Sequence, residues 1–164
     1  MQIFKNVLSD SLLSSINTEI KDLINKSVWI SSLMVWPKDT LKNVVGDCSI
    51  TLVGPKICVH LVEELKDKLP HCNKMVFQYY IWKQNSAISL HDDGLERYGA
   101  TIYLNEKWDM DLGGIFLWKT ESEIKGFCPE YNSMVLNTVR EPHLVTPVNP
   151  LSLEHRYTIQ IWGY

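Results

Sequence analysis

Four side chains of the kinds that bind metal ions and carboxylates follow one another in the second half of the chain. They are His91, Asp93, His143 and Arg156. Two imidazoles and one carboxylate on one face of a metal ion leave the opposite coordination positions open, a ligand set typical of non-haem ferrous iron. The planar fork of an arginine matches a carboxylate with parallel hydrogen bonds, so Arg156 is a candidate clamp for a dicarboxylate.

The local pattern places the first two ligand candidates on one face. Alternate side chains of an extended strand point the same way, so His91 and Asp93 leave the same face if the strand continues to Gly94. A His-x-Asp triplet also arises by chance, and a surface hydrogen bond in a turn is the alternative interpretation of this pair. The order of His143 and Arg156 after it favours the metal site.

Six short blocks occur in residues 75–164. They are 79–82 (YYIW), 89–94 (SLHDDG), 101–108 (TIYLNEKW), 113–118 (GGIFLW), 143–148 (HLVTPV) and 156–162 (RYTIQIW). In type and order they resemble the signature of the 2-oxoglutarate/Fe(II)-dependent dioxygenase superfamily, specifically its prolyl-4-hydroxylase-like branch. The Tyr-Leu-Asn-x-x-Trp and Gly-Gly blocks are specific to that branch. The resemblance covers slightly more than half of the chain.

The resemblance implies the chemistry of the site. It implies that His91, Asp93 and His143 hold Fe(II), and that 2-oxoglutarate and O2 take the open positions. Arg156 matches the residue that binds the far carboxylate of 2-oxoglutarate, and Tyr103 matches a tyrosine whose hydroxyl joins it. The implied reaction hydroxylates a substrate C–H bond and releases succinate and CO2, with ascorbate as a candidate additional cofactor.

Strand alternation adds further candidates for the cosubstrate pocket. Thr101 lies two residues before Tyr103, and Phe116 lies on the strand after the two glycines, so both are expected to face the pocket. Trp162 shares the face of Arg156 by the same parity. Core packing is the alternative role for these three side chains, and for Trp162 the two roles overlap.

One position departs from the family pattern. Many relatives carry a tyrosine ten residues before the first iron histidine, where this chain has Ile81. A shift of one residue would bring Tyr80 into that place, so Tyr80 is a further pocket candidate. The remaining histidines are interpreted as unrelated to the metal, and His155 in particular points to the other face from Arg156. These histidines are His60, His71 and His155.

Composition indicates one compact domain over residues 1–164. The net charge is −3 and no cluster of Lys or Arg forms a phosphate-binding track, which argues against a nucleic-acid partner. The apolar runs are too short to span a bilayer and no signal peptide is expected, so a cytoplasmic protein without a membrane partner is predicted. The irregularly spaced cysteines are expected to be free thiols; they are Cys48, Cys58, Cys72 and Cys128.

Periodicity predicts helices first and strands later. A helix capped by Ser9 or Asp10 is followed by a predicted strand over residues 28–36 that stops at Pro37. A second helix is predicted to begin at Gly54-Pro55 and to run through Leu69. After the second predicted helix the sequence consists of short strand-like runs separated by turns.

The predicted fold is therefore α+β and mainly β. Its core is a double-stranded β-helix, or jelly roll, over residues 75–164, buttressed by a helical support region over residues 1–74.

Three functions stay open. The first is a hydroxylase acting on a peptide prolyl residue or a free amino-acid-like small molecule. The second is a nucleic-acid repair dioxygenase, a class that carries another arginine six residues after the first, where this chain has Trp162. The third is a non-catalytic, cupin-like metal-binding module, which the complete ligand set and Arg156 disfavour. Neither the exact substrate nor the oligomeric state follows from the sequence.

Overall fold

The computed structural model describes residues 1–36, 38–94 and 96–164. A single 3₁₀ turn (Met110–Leu112) lies between the seventh and eighth strands. The remaining elements are β1 (Gln2–Lys5), α1 (Asp10–Asn25), β2 (Ile30–Ser31), α2 (Ser32–Val35), α3 (Lys38–Leu41), β3 (Val44–Val45), β4 (Cys48–Leu52), α4 (Pro55–Leu65), β5 (Met75–Trp82), β6 (Ala87–His91), β7 (Tyr98–Tyr103), β8 (Phe116–Lys119), β9 (Ile124–Phe127), β10 (Ser133–Asn137), β11 (His143–Val145) and β12 (Arg156–Gly163).

Two antiparallel sheets form the body of the molecule. The larger sheet has seven strands in the order β1-β10-β7-β12-β5-β4-β2, and the smaller has five in the order β3-β6-β11-β8-β9. Strands adjacent in space are mostly distant in sequence, and the chain crosses repeatedly between the sheets, as in a jelly roll. The predicted fold class, mainly β with a double-stranded β-helix core and supporting helices, is confirmed.

Helices α1 and α4 cover the outer face of the larger sheet. Ser9 caps α1, since its hydroxyl oxygen accepts the backbone N–H of Leu12 at 3.3 Å. Pro55 lies in the first turn of α4, where a helix has no partner for the N–H that proline lacks. The helices and the outward side chains of the sheet share one apolar cluster, which includes Leu12, Leu13, Ile16, Ile20, Leu61, Leu65, Phe77, Tyr79, Ile102, Ile159 and Ile161.

The inner faces of the two sheets enclose a second cluster. Strand alternation divides neighbouring residues between the two cores, so Tyr79 packs outward against the helices while Tyr80 lies between the sheets. Side chains carried on the inner faces are thus brought together from distant parts of the sequence. The inner cluster contains Cys48, Ile50, Tyr80, Trp82, Ile88, Tyr103, Phe116, Trp118, Phe127, Val135, Val145 and Val148.

Residues 1–74 contribute strands as well as helices, because β1, β2 and β4 belong to the larger sheet and β3 to the smaller. The predicted strand over residues 28–36 is wrong for most of its length, since only Ile30–Ser31 pairs with β4 and α2 follows directly. The Ser31 hydroxyl accepts the backbone N–H of Leu33 at 3.3 Å, so a serine that caps a helix interrupts the strand. Pro37 lies outside the described residues.

Two further expectations concern the whole chain. Within the described ranges, no helix is long and apolar enough to cross a membrane. The expectation of free thiols is confirmed for all four cysteines, which are Cys48, Cys58, Cys72 and Cys128.

Candidate active site

Three side chains that can bind a metal meet between the sheets. His91 ends β6 and His143 begins β11, and the two residues pair directly across the antiparallel ladder. Asp93 follows in the turn after β6. One ligand atom from each side chain lies within 4.8 Å of the others, a spacing that one metal ion can bridge. Two imidazoles and one carboxylate fit ferrous iron with open positions.

Backbone carbonyls set the orientation of both imidazoles. Nδ1 of His91 lies 2.8 Å from the carbonyl oxygen of Ser89, and Nδ1 of His143 lies 3.0 Å from that of Glu141. A carbonyl oxygen only accepts hydrogen bonds, so each Nδ1 carries a proton, and in the neutral imidazole Nε2 has the lone pair that a metal ion needs. Metal-binding histidines are oriented by the same kind of contact in other proteins.

Charge couples the carboxylate to one of the imidazoles. Nε2 of His143 lies 3.4 Å from Oδ1 of Asp93, and the two side chains are only 8% and 7% exposed. Burial lowers the pKa of His143, but the hydrogen bond to Asp93 and its charge outweigh burial and raise the pKa overall. Burial, and then the neighbouring His143, lower the pKa of His91. A cation among these groups would take the place of the proton on His143.

Two neighbours hold the ligands sterically. The ring of Phe116 stacks on His143 with centroids 4.9 Å apart and planes 20° apart. Gly99 of β7 lies behind Asp93, because a Cβ at Gly99 would stand 2.7 Å from Oδ2 of Asp93 and 3.1 Å from the ring of Trp162. Gly99 is not among the site residues predicted from the sequence. It could have been identified because it alternates along β7 in step with the inward-facing side chains of that strand.

Arg156 lies at the start of β12 and is 1% exposed. Its guanidinium carbon is 5.1 Å from the ring centroid of Tyr103 and 5.7 Å from that of Trp82. Gly114 allows this packing, since a Cβ there would lie 2.6 Å from Cδ of Arg156. Among the described residues, four buried polar atoms near this point have no hydrogen-bond partner: Arg156 Nε, Arg156 Nη2, Tyr103 Oη and Thr158 Oγ1.

These unmet donors define what the pocket can hold. A buried cation without an acceptor is costly, and burial accordingly lowers the pKa of Arg156. Burial also raises the pKa of Tyr103 to about 12, although the charge of Arg156 opposes the shift. The hydroxyl of Tyr103 is therefore protonated and able to donate. A carboxylate offers the acceptors that Arg156, Tyr103 and Thr158 lack, so the residues present fit the carboxylate end of a dicarboxylate.

A row of polar side chains crosses the inner face of the larger sheet. Gln160 pairs with Gln78 on β5 and with Thr101 on β7, and the hydroxyl of Thr101 donates to Oε1 of Gln160 at 2.8 Å. The indole of Trp162 and the hydroxyl of Tyr80 both donate to Oε1 of Gln78, at 3.2 and 3.3 Å. An indole N–H only donates, so the oxygen of Gln78 must face Trp162 and its amide NH2 is left to donate elsewhere.

The structure brings the sequence-predicted site residues together around the space between the sheets. Their functional roles stay predictions. Thr158 and Gln78 join them, and their parity with Arg156 and Tyr80 was the available signal. His155 is not in the ligand cluster. A surface groove of about 810 Å³ between α4 and the start of β5 contains none of these residues. The predicted residues are His91, Asp93, His143, Arg156, Tyr103, Tyr80, Thr101, Phe116 and Trp162.

Solved structures share this architecture. A prolyl-4-hydroxylase from Pseudomonas putida is 16% identical, with a TM-score of 0.73 over 99% of this chain and 90% of its own. A prolyl hydroxylase from Trichoplax adhaerens, in complex with a hypoxia inducible factor peptide fragment, is 17% identical, with a TM-score of 0.77 over 99% and 82%. The viral collagen prolyl hydroxylase of Paramecium Bursaria Chlorella virus-1, in complex with 2OG, is 14% identical, with a TM-score of 0.67 over 98% and 93%.

At such identities the likeness shows the fold alone. No curated protein sequence gives a significant match. The sequence profile of the 2OG-Fe(II) oxygenase superfamily, however, matches residues 75–163, more than half of the chain. The matched range contains the two histidines and the aspartate that cluster, and the buried arginine with its unmet donors. The chain therefore belongs to the 2OG-Fe(II) oxygenase superfamily, whose members use Fe(II) and 2-oxoglutarate.

Proposed function

We propose that the protein is a 2-oxoglutarate- and Fe(II)-dependent hydroxylase of a peptide prolyl residue or a free amino-acid-like molecule. The reaction converts a substrate C–H bond, 2-oxoglutarate and O2 into the alcohol, succinate and CO2. The observation that carries the proposal is Arg156, a buried cation whose nitrogens Nε and Nη2 have no acceptor within the described part of the chain. It packs on Tyr103, which belongs to the inner cluster that also contains Phe116, the ring stacked on His143.

Each side chain then has a distinct task. His91, Asp93 and His143 hold Fe(II), which together with 2-oxoglutarate supplies the oxidation of the C–H bond. Arg156 and Tyr103 bind the far carboxylate of 2-oxoglutarate and thereby fix the direction in which the molecule enters. The hydroxyl of Thr158 is a third donor to the same carboxylate, because it is buried beside Tyr103 in the ladder.

The remaining pocket residues shape the wall around the cosubstrate. Phe116 keeps His143 in place by stacking on its ring. Tyr80, Thr101 and Trp162 hold the oxygens of two glutamines by hydrogen bonds, so the amide NH2 groups are the donors that this wall offers to bound oxygen atoms.

Three observations support a peptide or amino-acid-like substrate over a nucleic acid. Prolyl hydroxylases are among the solved structures that share the fold, and one of them is bound to a peptide fragment. The net charge is −3, and Trp162 stands where a repair dioxygenase carries its second arginine. The unmet donors of Arg156 also weigh against a non-catalytic metal-binding module, which has no need of a carboxylate clamp.

Succinate release tests the proposal. Purified protein is incubated with Fe(II), 2-oxoglutarate and O2, with and without ascorbate, against a panel of proline-containing peptides, free amino acids and oligonucleotides. We expect succinate to form together with a product heavier by one oxygen atom, for a peptide or amino acid only. His143→Ala should abolish the signal and His155→Ala should keep it, since only the first removes a metal ligand. Product formation on an oligonucleotide would overturn the assigned substrate class.

A further inference from the structure

Three buried asparagines use their side chains in the same way. Each side-chain amide accepts a backbone N–H through Oδ1 and donates to a backbone carbonyl through Nδ2, so both of its polar ends are occupied by main chain. The three are Asn105, Asn132 and Asn137, which are 7%, 6% and 4% exposed. A backbone N–H only donates and a carbonyl only accepts, so chemistry fixes the orientation of each amide.

Asn137, the last residue of β10, holds the loop before the second histidine. Its Oδ1 accepts the N–H of Glu141 at 3.0 Å, and its Nδ2 donates to the carbonyl of the same residue at 3.1 Å. That carbonyl of Glu141 is also the acceptor for Nδ1 of His143, at 3.0 Å. Asn137 therefore fixes the carbonyl that sets the tautomer of the His143 ring and helps to orient it.

Asn105 holds the main chain on both sides of the carboxylate clamp. Its Nδ2 donates to the carbonyl of His155 at 2.9 Å, and its Oδ1 accepts the N–H of Tyr157 at 2.8 Å. These two residues flank Arg156, where β12 begins. The ladder between β7 and β12 ends at the pair of Tyr103 and Thr158, so Asn105 extends the restraint beyond the last paired residues.

Asn132 makes the same two contacts in a different place. Its Oδ1 accepts the N–H of Leu8 at 2.9 Å and its Nδ2 donates to the carbonyl of Leu8 at 2.8 Å. Leu8 belongs to the outer core beneath the helices. The chain thus contains an internal control of the same residue type, burial and side-chain hydrogen-bond pattern, whose side chain touches neither His143 nor Arg156. Its backbone differs, with a φ of 55° and an N–H that donates to the carbonyl of Tyr103, a bond that an alanine keeps.

We propose that Asn137 and Asn105 are separate positioning residues of the active site, Asn137 for metal binding through His143 and Asn105 for 2-oxoglutarate binding through Arg156. The inference rests on the proposed function, which gives those two residues their ligands. Groups that orient metal ligands typically change metal affinity about 10- to 100-fold when they are removed. Substitution of Asn137 should therefore weaken metal binding, and substitution of Asn105 should weaken 2-oxoglutarate binding, each without the other.

The test compares Asn137→Ala, Asn105→Ala and Asn132→Ala by calorimetry without turnover. Mn(II) is titrated into metal-free protein, and 2-oxoglutarate is then titrated into protein saturated with Mn(II). We expect Asn137→Ala to weaken Mn(II) binding about 10-fold or more and to change 2-oxoglutarate affinity less than about twofold. Asn105→Ala should show the reverse pattern. Asn132→Ala should lower the melting temperature but leave both affinities unchanged.

Milder substitutions at the same positions provide a second test in case an alanine variant folds poorly. Asn137→Ser and Asn105→Ser keep a neutral hydroxyl that can donate or accept in place of the amide, so each should give a smaller effect on the same ligand than its alanine variant. The ¹⁵N resonances of His143 in the metal-free protein add a readout that general destabilisation does not move: Asn137→Ala should reduce the Nδ1–H tautomer, and Asn132→Ala should not.

The outcomes are distinguishable. Equal losses of both affinities in all three alanine variants, or unchanged affinities in Asn137→Ala and Asn105→Ala, would overturn the inference. Failure of the wild-type protein to bind Mn(II) and 2-oxoglutarate would instead overturn the proposed function.

Discussion

At the scale of single residues, Arg156 has the largest unmet hydrogen-bonding capacity of the site. We expect Arg156→Ala to weaken 2-oxoglutarate binding roughly 30-fold or more, because losing a charge-assisted contact in a desolvated site costs about 2–5 kcal/mol. Metal affinity should stay near that of the wild type, since Arg156 is outside the ligand cluster. Calorimetric titration of 2-oxoglutarate into Mn(II)-loaded protein measures the first effect, and titration of Mn(II) measures the second.

Two further variants bracket this result. Arg156→Lys keeps the charge but loses the planar fork, so it should bind 2-oxoglutarate with intermediate affinity. Arg140→Ala removes an exposed arginine that pairs with Asp92, and it serves as the control for a general change of charge. Wild-type affinity in Arg156→Ala would mean that the carboxylate clamp lies elsewhere.

The raised pKa of His143 predicts how the stability of the metal-free protein depends on pH. Burial opposes protonation of His143, but Asp93 outweighs it and raises the pKa above the ordinary value of 6.5. A group whose pKa is raised on folding adds stability that is full below its unfolded pKa and is lost as the pH rises through its folded pKa. The difference in unfolding free energy between wild type and His143→Gln should therefore be larger at about pH 5.5 than at about pH 9.

Chemical denaturation in the presence of a chelator measures this difference at each pH. The subtraction of the His143→Gln variant cancels the contributions of titrating groups far from His143, but not that of His91, whose pKa His143 lowers. A difference of the same size at both pH values would show that the ion pair with Asp93 does not form in the metal-free protein.

Much of the site could be predicted from residue types and strand parity, and its nonlocal contacts could not. The parity of Arg156 with Trp162 is a local property of one strand. Asp93, by contrast, meets His91 from the turn after β6, because the strand ends at His91. Thr158 shares the parity of Arg156, but its place beside Tyr103 depends on the register between β12 and β7, two segments far apart in sequence. Register of this kind is set by the whole sheet and is not written in either strand alone.

At the scale of elements, β7 approaches the turn that carries Asp93 closely. A Cβ at Gly99 would lie 2.7 Å from the Asp93 carboxylate, which is closer than real Cβ contacts come. We expect Gly99→Ala to push this carboxylate out of the ligand cluster and to weaken Mn(II) binding about 10-fold or more, with the fold retained. Calorimetry measures the Mn(II) affinity, and a thermal melt of the same sample tests whether the fold is retained.

Gly126→Ala provides a matched comparison for this strand contact. A Cβ at Gly126 would lie 2.8 Å from Cδ2 of Leu117, the end of a flexible side chain on the smaller sheet, which can move aside. Its Mn(II) affinity should therefore match that of the wild type. Mn(II) affinity in Gly99→Ala equal to that in Gly126→Ala would show that Asp93 has room to adjust.

Helices could be located from sequence better than the short strands. The cap at Ser9 and the proline after Gly54 mark the starts of α1 and α4, and both are confirmed. The second helix ends at Leu65, with turns continuing to Leu69, so the prediction overran by one turn. The strand predicted over residues 28–36 contains β2, but its reduction to two residues could not be predicted, because pairing with β4 sets its extent.

At the scale of the whole molecule, one sheet serves two cores. The outer face of the larger sheet packs on α1 and α4, and its inner face carries Arg156, Tyr103 and the polar row of Gln160. Strands from residues 1–74 also flank the central strands β10-β7-β12-β5 of this sheet on both sides, since β1 pairs with β10 and β4 pairs with β5. The first half of the chain therefore supports the site through pairing as well as packing.

This arrangement predicts that residues 75–164 do not fold alone, although the family profile matches almost that range. The fragment would expose the outer apolar side chains Phe77, Ile102 and Ile159, together with the unpaired edges of β5 and β10, which favours aggregation over a native roll. We expect the fragment to show no cooperative thermal transition, to bind a hydrophobic dye strongly and not to bind Mn(II). The full chain, measured in parallel as the control, should melt cooperatively and bind Mn(II). A cooperative melt together with Mn(II) binding by the fragment would show instead that residues 1–74 are dispensable for the fold and for the metal site.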